Sequence, residues 1–283
     1  MANAILRVRC QDRTGIIAAL SDFVFRHGGN ILDLDQHTDP EAGGFFMRLV
    51  WSLDSFTLDA DGIRLGLEVF ARSLGLHWEL DFDDRRDRVA ILCSKEAHCL
   101  YDLLLRQRLG ELNGDVVLVV SNHPDHRPAA EYFGLPFEVV PVGRDDKAAA
   151  EARQQELLEK YRVDLVVLAR YMQILSPAFV ERWAGRVINI HHSFLPAFAG
   201  ARPYHQAQAR GVKLIGATAH YATANLDEGP IIEQDVTRVS HRDTVADMIR
   251  KGRDLEQQVL GRAVRLHLER RLLIEGKRTV VFG

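Results

Sequence analysis

Four short strand-like runs after residue 88, at residues 89–92, 116–121, 137–140 and 165–169, apolar throughout except for Ser121 and Glu138, limit the possible folds more than anything else in the sequence. Strands buried on both faces read as continuous Val, Ile and Leu, without the polar alternation of a half-exposed sheet. Between the runs lie segments of helix-forming composition, at residues 97–107, 129–133 and 145–161. Parallel strands need such crossovers. The order predicts an α/β fold: a doubly wound, mostly parallel sheet with helices on both faces and ligands at the carboxyl ends of the strands.

The first 82 residues follow another plan. Leu6, Val8 and Cys10 alternate with Arg7 and Arg9, as on a half-buried strand. Ile17, Leu20, Phe23 and Val24 recur at helical spacing within residues 16–26, and Gly28-Gly29-Asn30 supplies the left-handed positions that end a helix. Strands are expected from Ile31 and over residues 45–53, then a helix over 63–74 and a strand over 76–82. Strand-helix-strand-strand-helix-strand is the ferredoxin-like α+β order. Residues 81–88, DFDDRRDR, have no apolar face and read as a connector. Two domains are therefore expected, 1–84 and 85–283.

Composition narrows the partners. With 36 Lys and Arg against 39 Asp and Glu, the chain has no basic excess for nucleic acid or an anionic membrane. Cys10, Cys93 and Cys99 lack the paired spacing of a disulfide framework or a zinc site, which predicts a reducing, cytoplasmic setting. No apolar run approaches bilayer length, and the first residues lack a leader pattern.

The chemistry concentrates in residues 187–235. Val187 and Ile188 lead into Asn189 and His191, alternate positions that share a face if the run is a strand. Pro196, Gly200 and Pro203 predict an irregular segment, residues 214–221 a second strand carrying His220, and Leu226-Asp227-Glu228-Gly229-Pro230 a turn. An amide, imidazoles and a carboxylate drawn from separate loops suit a reaction at a carbonyl. Singly, each has a plainer reading: Asn189 as a turn cap, His191 and His192 as ordinary satisfied histidines, Asp227 as the turn residue before Gly229. His192 falls on the face opposite His191 if the strand continues. His191, His192, His205 and His220 lack the helical spacing of a metal motif, so no metal is expected. Cys99, beside Leu100 on a helix, reads as buried and not as a nucleophile.

Asn-Ile-His, then Ser-x-Leu-Pro, His-Tyr and Leu-Asp-x-Gly-Pro-Ile-Ile, in that order, resemble the signature of the folate-dependent formyltransferase family. The His-His-Ser-Phe-Leu-Pro-Ala-Phe, Pro-Tyr-His-Gln and Gly-Ala-Thr-Ala-His-Tyr versions are most similar to its formyltetrahydrofolate deformylase branch. That resemblance implies catalytic roles for Asn189, His191 and Asp227, with His220 orienting Asp227 or the attacking water. It also implies that Met172, Gln173, Ile174 and Leu175 line a pterin pocket, where a helix start packing its own core is the plainer account. The implied reaction hydrolyses 10-formyltetrahydrofolate to tetrahydrofolate and formate, with no tightly bound cofactor, supplying formate for purine synthesis and balancing one-carbon folate pools. The alternative is formyl transfer to an amine. Where the related glycinamide ribonucleotide transformylases hold their acceptor on a Gly-rich loop, this chain has Ser94-Lys95-Glu96-Ala97-His98-Cys99, which favours water as acceptor. Asp12-Arg13-Thr14-Gly15 and Gly28-Gly29-Asn30 resemble an ACT domain. This implies an amino-acid effector near Asp12, Arg13, Gly15 and Asn30, and assembly as a dimer or tetramer; turn geometry alone accounts for the glycines equally well.

Overall fold

The computed structural model describes residues 2–143, 146–197 and 203–283. It divides the chain into two compact units: Met1–Arg86 with Glu269–Leu273 and Val280–Gly283, and Asp87–Leu268 with Ile274–Thr279. The division follows Arg86, and it assigns to the first unit two C-terminal segments that the sequence placed in the second domain.

In the first unit β1 (Asn3–Gln11), α1 (Ile16–Arg26), β2 (Asn30–Asp39), β3 (Gly44–Ser52), α2 (Ala60–Leu74) and β4 (His77–Phe82) follow the ferredoxin-like order. The strands form an antiparallel sheet in the order β2-β3-β1-β4. Leu6 and Val8 of β1 pack with Leu20 and Val24 of α1 and Ile63 and Leu67 of α2, so the alternation in β1 and the helical spacing in α1 fill one core. The C-terminal segments join this unit through a small cluster of Phe46, Leu273 and Phe282. Asp12, Arg13, Gly15 and Asn30 all lie exposed. The Asp12 N–H donates to the Gly43 carbonyl at 2.8 Å, and Arg13 Nη2 donates to the Ser73 carbonyl at 3.1 Å.

The second unit contains β5 (Asp87–Cys93), α3 (His98–Arg108), β6 (Gly114–Ser121), α4 (Arg127–Tyr132), β7 (Phe137–Val139), α5 (Lys147–Lys160), β8 (Leu165–Ala169), α6 (Pro177–Arg182), β9 (Val187–His191), α7 (Pro203–Arg210), β10 (Leu214–Tyr221), β11 (Ile231–Arg238) and α8 (Val245–Leu268). Asp145, expected in α5, lies outside the described residues. The seven strands run in the order β11-β10-β9-β8-β5-β6-β7. β5 through β9 pair in parallel, and β10 and β11 extend the sheet antiparallel. All five residues of β8 are buried, as an unbroken apolar run requires. No helix among the described residues is long and apolar enough to cross a membrane.

Two expectations are corrected. The segment predicted to be irregular contains a helix, α7, whose buried Tyr204 and Ala207 pack with Ile215 and Met248; Gly200 lies outside the described residues. The long C-terminal helix stops at Leu268, not at Arg271. Arg270 takes a left-handed φ of 56°, which breaks the helix, and residues Leu272–Glu275 form β12, paired with β13 (Arg278–Val281).

Candidate active site

β9 carries Asn189 and His191 to its carboxyl end, and antiparallel pairing sets His220 of β10 directly opposite Asn189. Asn189 Nδ2 donates to His220 Nε2 at 3.1 Å, and His220 Nδ1 donates to the Tyr221 carbonyl at 3.0 Å. The second bond fixes the proton on Nδ1 and leaves Nε2 as acceptor. Burial lowers the His220 pKa, so the ring is neutral at pH 7. Asp227 Oδ1 lies 3.3 Å from His191 Nδ1 and 3.7 Å from His220 Nε2. The hydrogen bond from His191 holds the Asp227 carboxyl below the usual carboxylate range against the opposing effect of burial. His191 Nε2 is buried with no hydrogen-bond partner among the described residues. His220 thus bonds Asn189 and also stands beside Asp227.

Asp227 reaches this position through a constrained turn. Its own φ is 57°, a left-handed conformation that Asp tolerates better than most residues. Two residues on, a Cβ on Gly229 would lie 1.7 Å from the Tyr221 carbonyl oxygen, so the turn docks against the end of β10 only with glycine there. The Tyr221 N–H donates to the Pro230 carbonyl at 2.9 Å and closes the contact. Gly229→Ala is expected to destabilise the fold by about 1–3 kcal/mol, since the clash is with backbone. It should also lower turnover by displacing Asp227. Denaturant unfolding and kcat on the same preparation check both effects.

Asn189, His191, His220 and Asp227 share one cavity of about 520 Å³ with Met172, Gln173, Ile174 and Leu175. The segment between β8 and α6 is not helical, and Met172 and Ile174 are 58% and 61% exposed, so these two do not pack a helix core. Ser94 fixes the segment's start: its Oγ accepts the Met172 N–H at 3.1 Å and donates to Asn122 Oδ1 at 2.7 Å.

His192 departs from expectation. The strand ends at His191, and His192 turns into the same cavity with its ring centroid 5.2 Å from that of His191. Burial, and then the nearby Arg170 charge, push its pKa down from 6.5 to about 4. Between those pH values the unfolded chain binds a proton that the folded chain does not, so stability falls as the pH drops through that window. His192 alone contributes a loss of about 3 kcal/mol by the acid end, and His220 acts in the same direction. His192→Gln should flatten the decline, as measured by urea unfolding between pH 7 and about 4.

Sequence reasoning missed several supporting residues. Thr218, fully buried beside His191, donates through Oγ1 to the Ser193 carbonyl at 2.8 Å and accepts the Leu195 N–H at 3.0 Å and Gln234 Nε2 at 2.9 Å, pinning the turn after His192. Arg170, Tyr204 and Glu256 form a second buried group. Tyr204 Oη donates to Glu256 Oε1 at 2.9 Å, His98 Nε2 donates to Oε2 at 2.8 Å, and Arg170 Nε lies 3.3 Å from Oε2. Burial raises the Glu256 pKa, but the His98 hydrogen bond and the Arg170 charge outweigh it and leave the carboxyl below its ordinary value. A threonine inside an apolar strand, and a glutamate facing inward on α8, were the available signals.

Among the described residues, the group spaced to hold a metal ion is His98, Cys99 and Glu256, whose ligand atoms lie within 4.8 Å of one another. The guanidinium of Arg170 already stands beside Glu256, and burial raises the Cys99 thiol well above its normal pKa. Both features oppose binding of a cation and suit a hydrogen-bond network.

Residues 87–264 match the family model described as formyl transferase, and residues 4–50 match the ACT domain model. The sequence is 53% identical to a formyltetrahydrofolate deformylase from Synechocystis over 280 residues, covering 99% of this chain and 98% of that one. The chain belongs to the formyltetrahydrofolate deformylase family. A crystal structure of a deformylase from Pseudomonas syringae pv. tomato superposes on the family member described here with a TM-score of 0.97 at 48% identity, covering 100% of this chain and 95% of the other. A glycinamide ribonucleotide transformylase from Symbiobacterium toebii matches 70% of this chain and 95% of its own, with a TM-score of 0.66 at 35% identity.

Proposed function

We propose that this chain hydrolyses 10-formyltetrahydrofolate to tetrahydrofolate and formate, with Asn189, His191 and Asp227 acting at the formyl carbon. The observation that carries the reading is the His191–Asp227 pair, whose Nε2, without a partner among the described residues, shares a cavity with the Asn189 amide in a member of the deformylase family. One Asn189 amide hydrogen is spent on His220, and the other is available to the oxygen that gains charge as water adds to the formyl group. The ionised Asp227 holds the His191 Nδ1 proton, so Nε2 takes a proton from the attacking water as the C–O bond forms. The same nitrogen then returns that proton to the folate nitrogen as the C–N bond breaks. Neutral His220 fixes the Asn189 amide and takes no proton at pH 7.

The cavity volume suits a folate headgroup. Met172, Ile174 and Leu175 offer it apolar surface, and the backbone around Gln173 offers hydrogen bonds to a pterin. No tightly bound cofactor takes part in this scheme. The first unit acts as a regulatory module that binds an amino acid near Asp12, Arg13, Gly15 and Asn30 and joins subunits into a dimer or tetramer. The enzyme works in the cytoplasm, and its formate feeds purine synthesis while its turnover balances the one-carbon folate pools.

The test is to incubate purified protein with 10-formyltetrahydrofolate and no amine, and to measure formate. Formate and tetrahydrofolate are expected in equal amounts. Consumption of the formyl group only after an amine is added would instead identify a transferase.

A further inference from the structure

Next to the catalytic cavity lies a smaller one of about 200 Å³, whose lining includes His98, Arg170, His192, Tyr204 and Glu256. Arg170 and His192 belong to the walls of both cavities. The carboxylates of the small cavity are already engaged: Glu256 by Tyr204, His98 and Arg170, and Glu96 by Arg253 at 2.8 Å. Among the described residues Arg170 is not saturated: its side chain is only 13% exposed, its Nε is buried without a hydrogen bond, and its one ion-pair partner is the already occupied Glu256. The backbone holds it there in a left-handed conformation, φ 59°, directly after β8. Tyr204 is seated by Gly252, where a Cβ would lie 1.9 Å from the Tyr204 hydroxyl oxygen.

Hydrolysis makes an anion in an awkward place. Formate forms beside the ionised Asp227, and two unit charges about 5 Å apart repel by about 3 kcal/mol at the effective dielectric of a partly buried site. A guanidinium fork matches a carboxylate with two parallel hydrogen bonds, and Arg170 lines both cavities. A three-heavy-atom anion fits easily in the smaller space.

We propose that the small cavity is a formate subsite, in which Arg170 takes the product carboxylate as it leaves the formyl site. The subsite depends on the hydrolytic function above, since formate is its ligand. Initial rates of the full-length enzyme are measured with added sodium formate, with sodium chloride to match ionic strength, for wild type, Arg170→Gln and Arg170→Lys. Wild type should show saturable inhibition by formate beyond that of chloride. Arg170→Gln should weaken it at least about tenfold, the worth of one charge-assisted contact, and Arg170→Lys, which keeps the charge but loses the fork, should fall between. Inhibition by tetrahydrofolate should shift much less. Equal formate inhibition in wild type and Arg170→Gln, or none beyond chloride in wild type, overturns the proposal. If Arg170→Gln fails to fold, the wild-type titration and Arg170→Lys decide it. An active enzyme insensitive to formate disproves the subsite alone, whereas absence of formate in the inhibitor-free control disproves the hydrolytic function.

Discussion

Asp227→Asn is expected to lower kcat by about 10³–10⁴-fold, the scale seen when an Asp supporting a catalytic histidine loses its charge, while folate affinity stays close to wild type. Asn nearly matches Asp in shape and tolerates the left-handed backbone at this position, so the turn should survive the change. What disappears is the charge that His191 Nδ1 faces at 3.3 Å. Without it the imidazolium formed when Nε2 takes a proton is unsupported. The apolar part of the cavity, Met172 to Leu175, is untouched. Single-turnover kinetics and equilibrium binding of a non-hydrolysable folate separate the two effects. Full activity in the variant would remove Asp227 from the chemistry.

Asn189→Ala should cost about 10²–10³ in kcat, the usual consequence of deleting one oxyanion donor, with a smaller change in KM. The amide contributes most once the carbonyl oxygen carries charge, so the loss falls on the transition state. The substitution also leaves His220 Nε2 without its 3.1 Å partner inside a buried pocket, and a modest loss of stability should accompany it. Steady-state kinetics over a range of substrate, with thermal unfolding on the same samples, distinguishes these contributions. An equal rise in KM with unchanged kcat would assign Asn189 to substrate binding only.

The legible parts of this protein were those whose information is local. Unbroken apolar runs marked β5, β6 and β8, and the two-residue period of β9 placed Asn189 and His191 on one face because strand geometry allows nothing else. The Leu-Asp-x-Gly-Pro turn was visible because glycine and proline act on their own backbone. Contacts assembled from distant segments were not legible. Tyr204 and Glu256 are 52 residues apart, and His98 and Glu256 are 158 apart, so no spacing rule links them. His192 was misplaced because alternation assumes a strand that ends one residue earlier, at His191. β12 was missed because the apolar residues after α8 continue a helical period past the point where Arg270 turns left-handed.

The central claim is that water, and not an amine, attacks a formyl carbon held between Asn189 and the His191–Asp227 pair. Running the reaction in ¹⁸O-enriched water and taking the mass spectrum of the released formate tests it most directly. One solvent oxygen in each formate, with Asp227→Asn and Asn189→Ala both slowing its appearance, is the predicted result. Formate free of label, or label appearing at the wild-type rate in both variants, would contradict it.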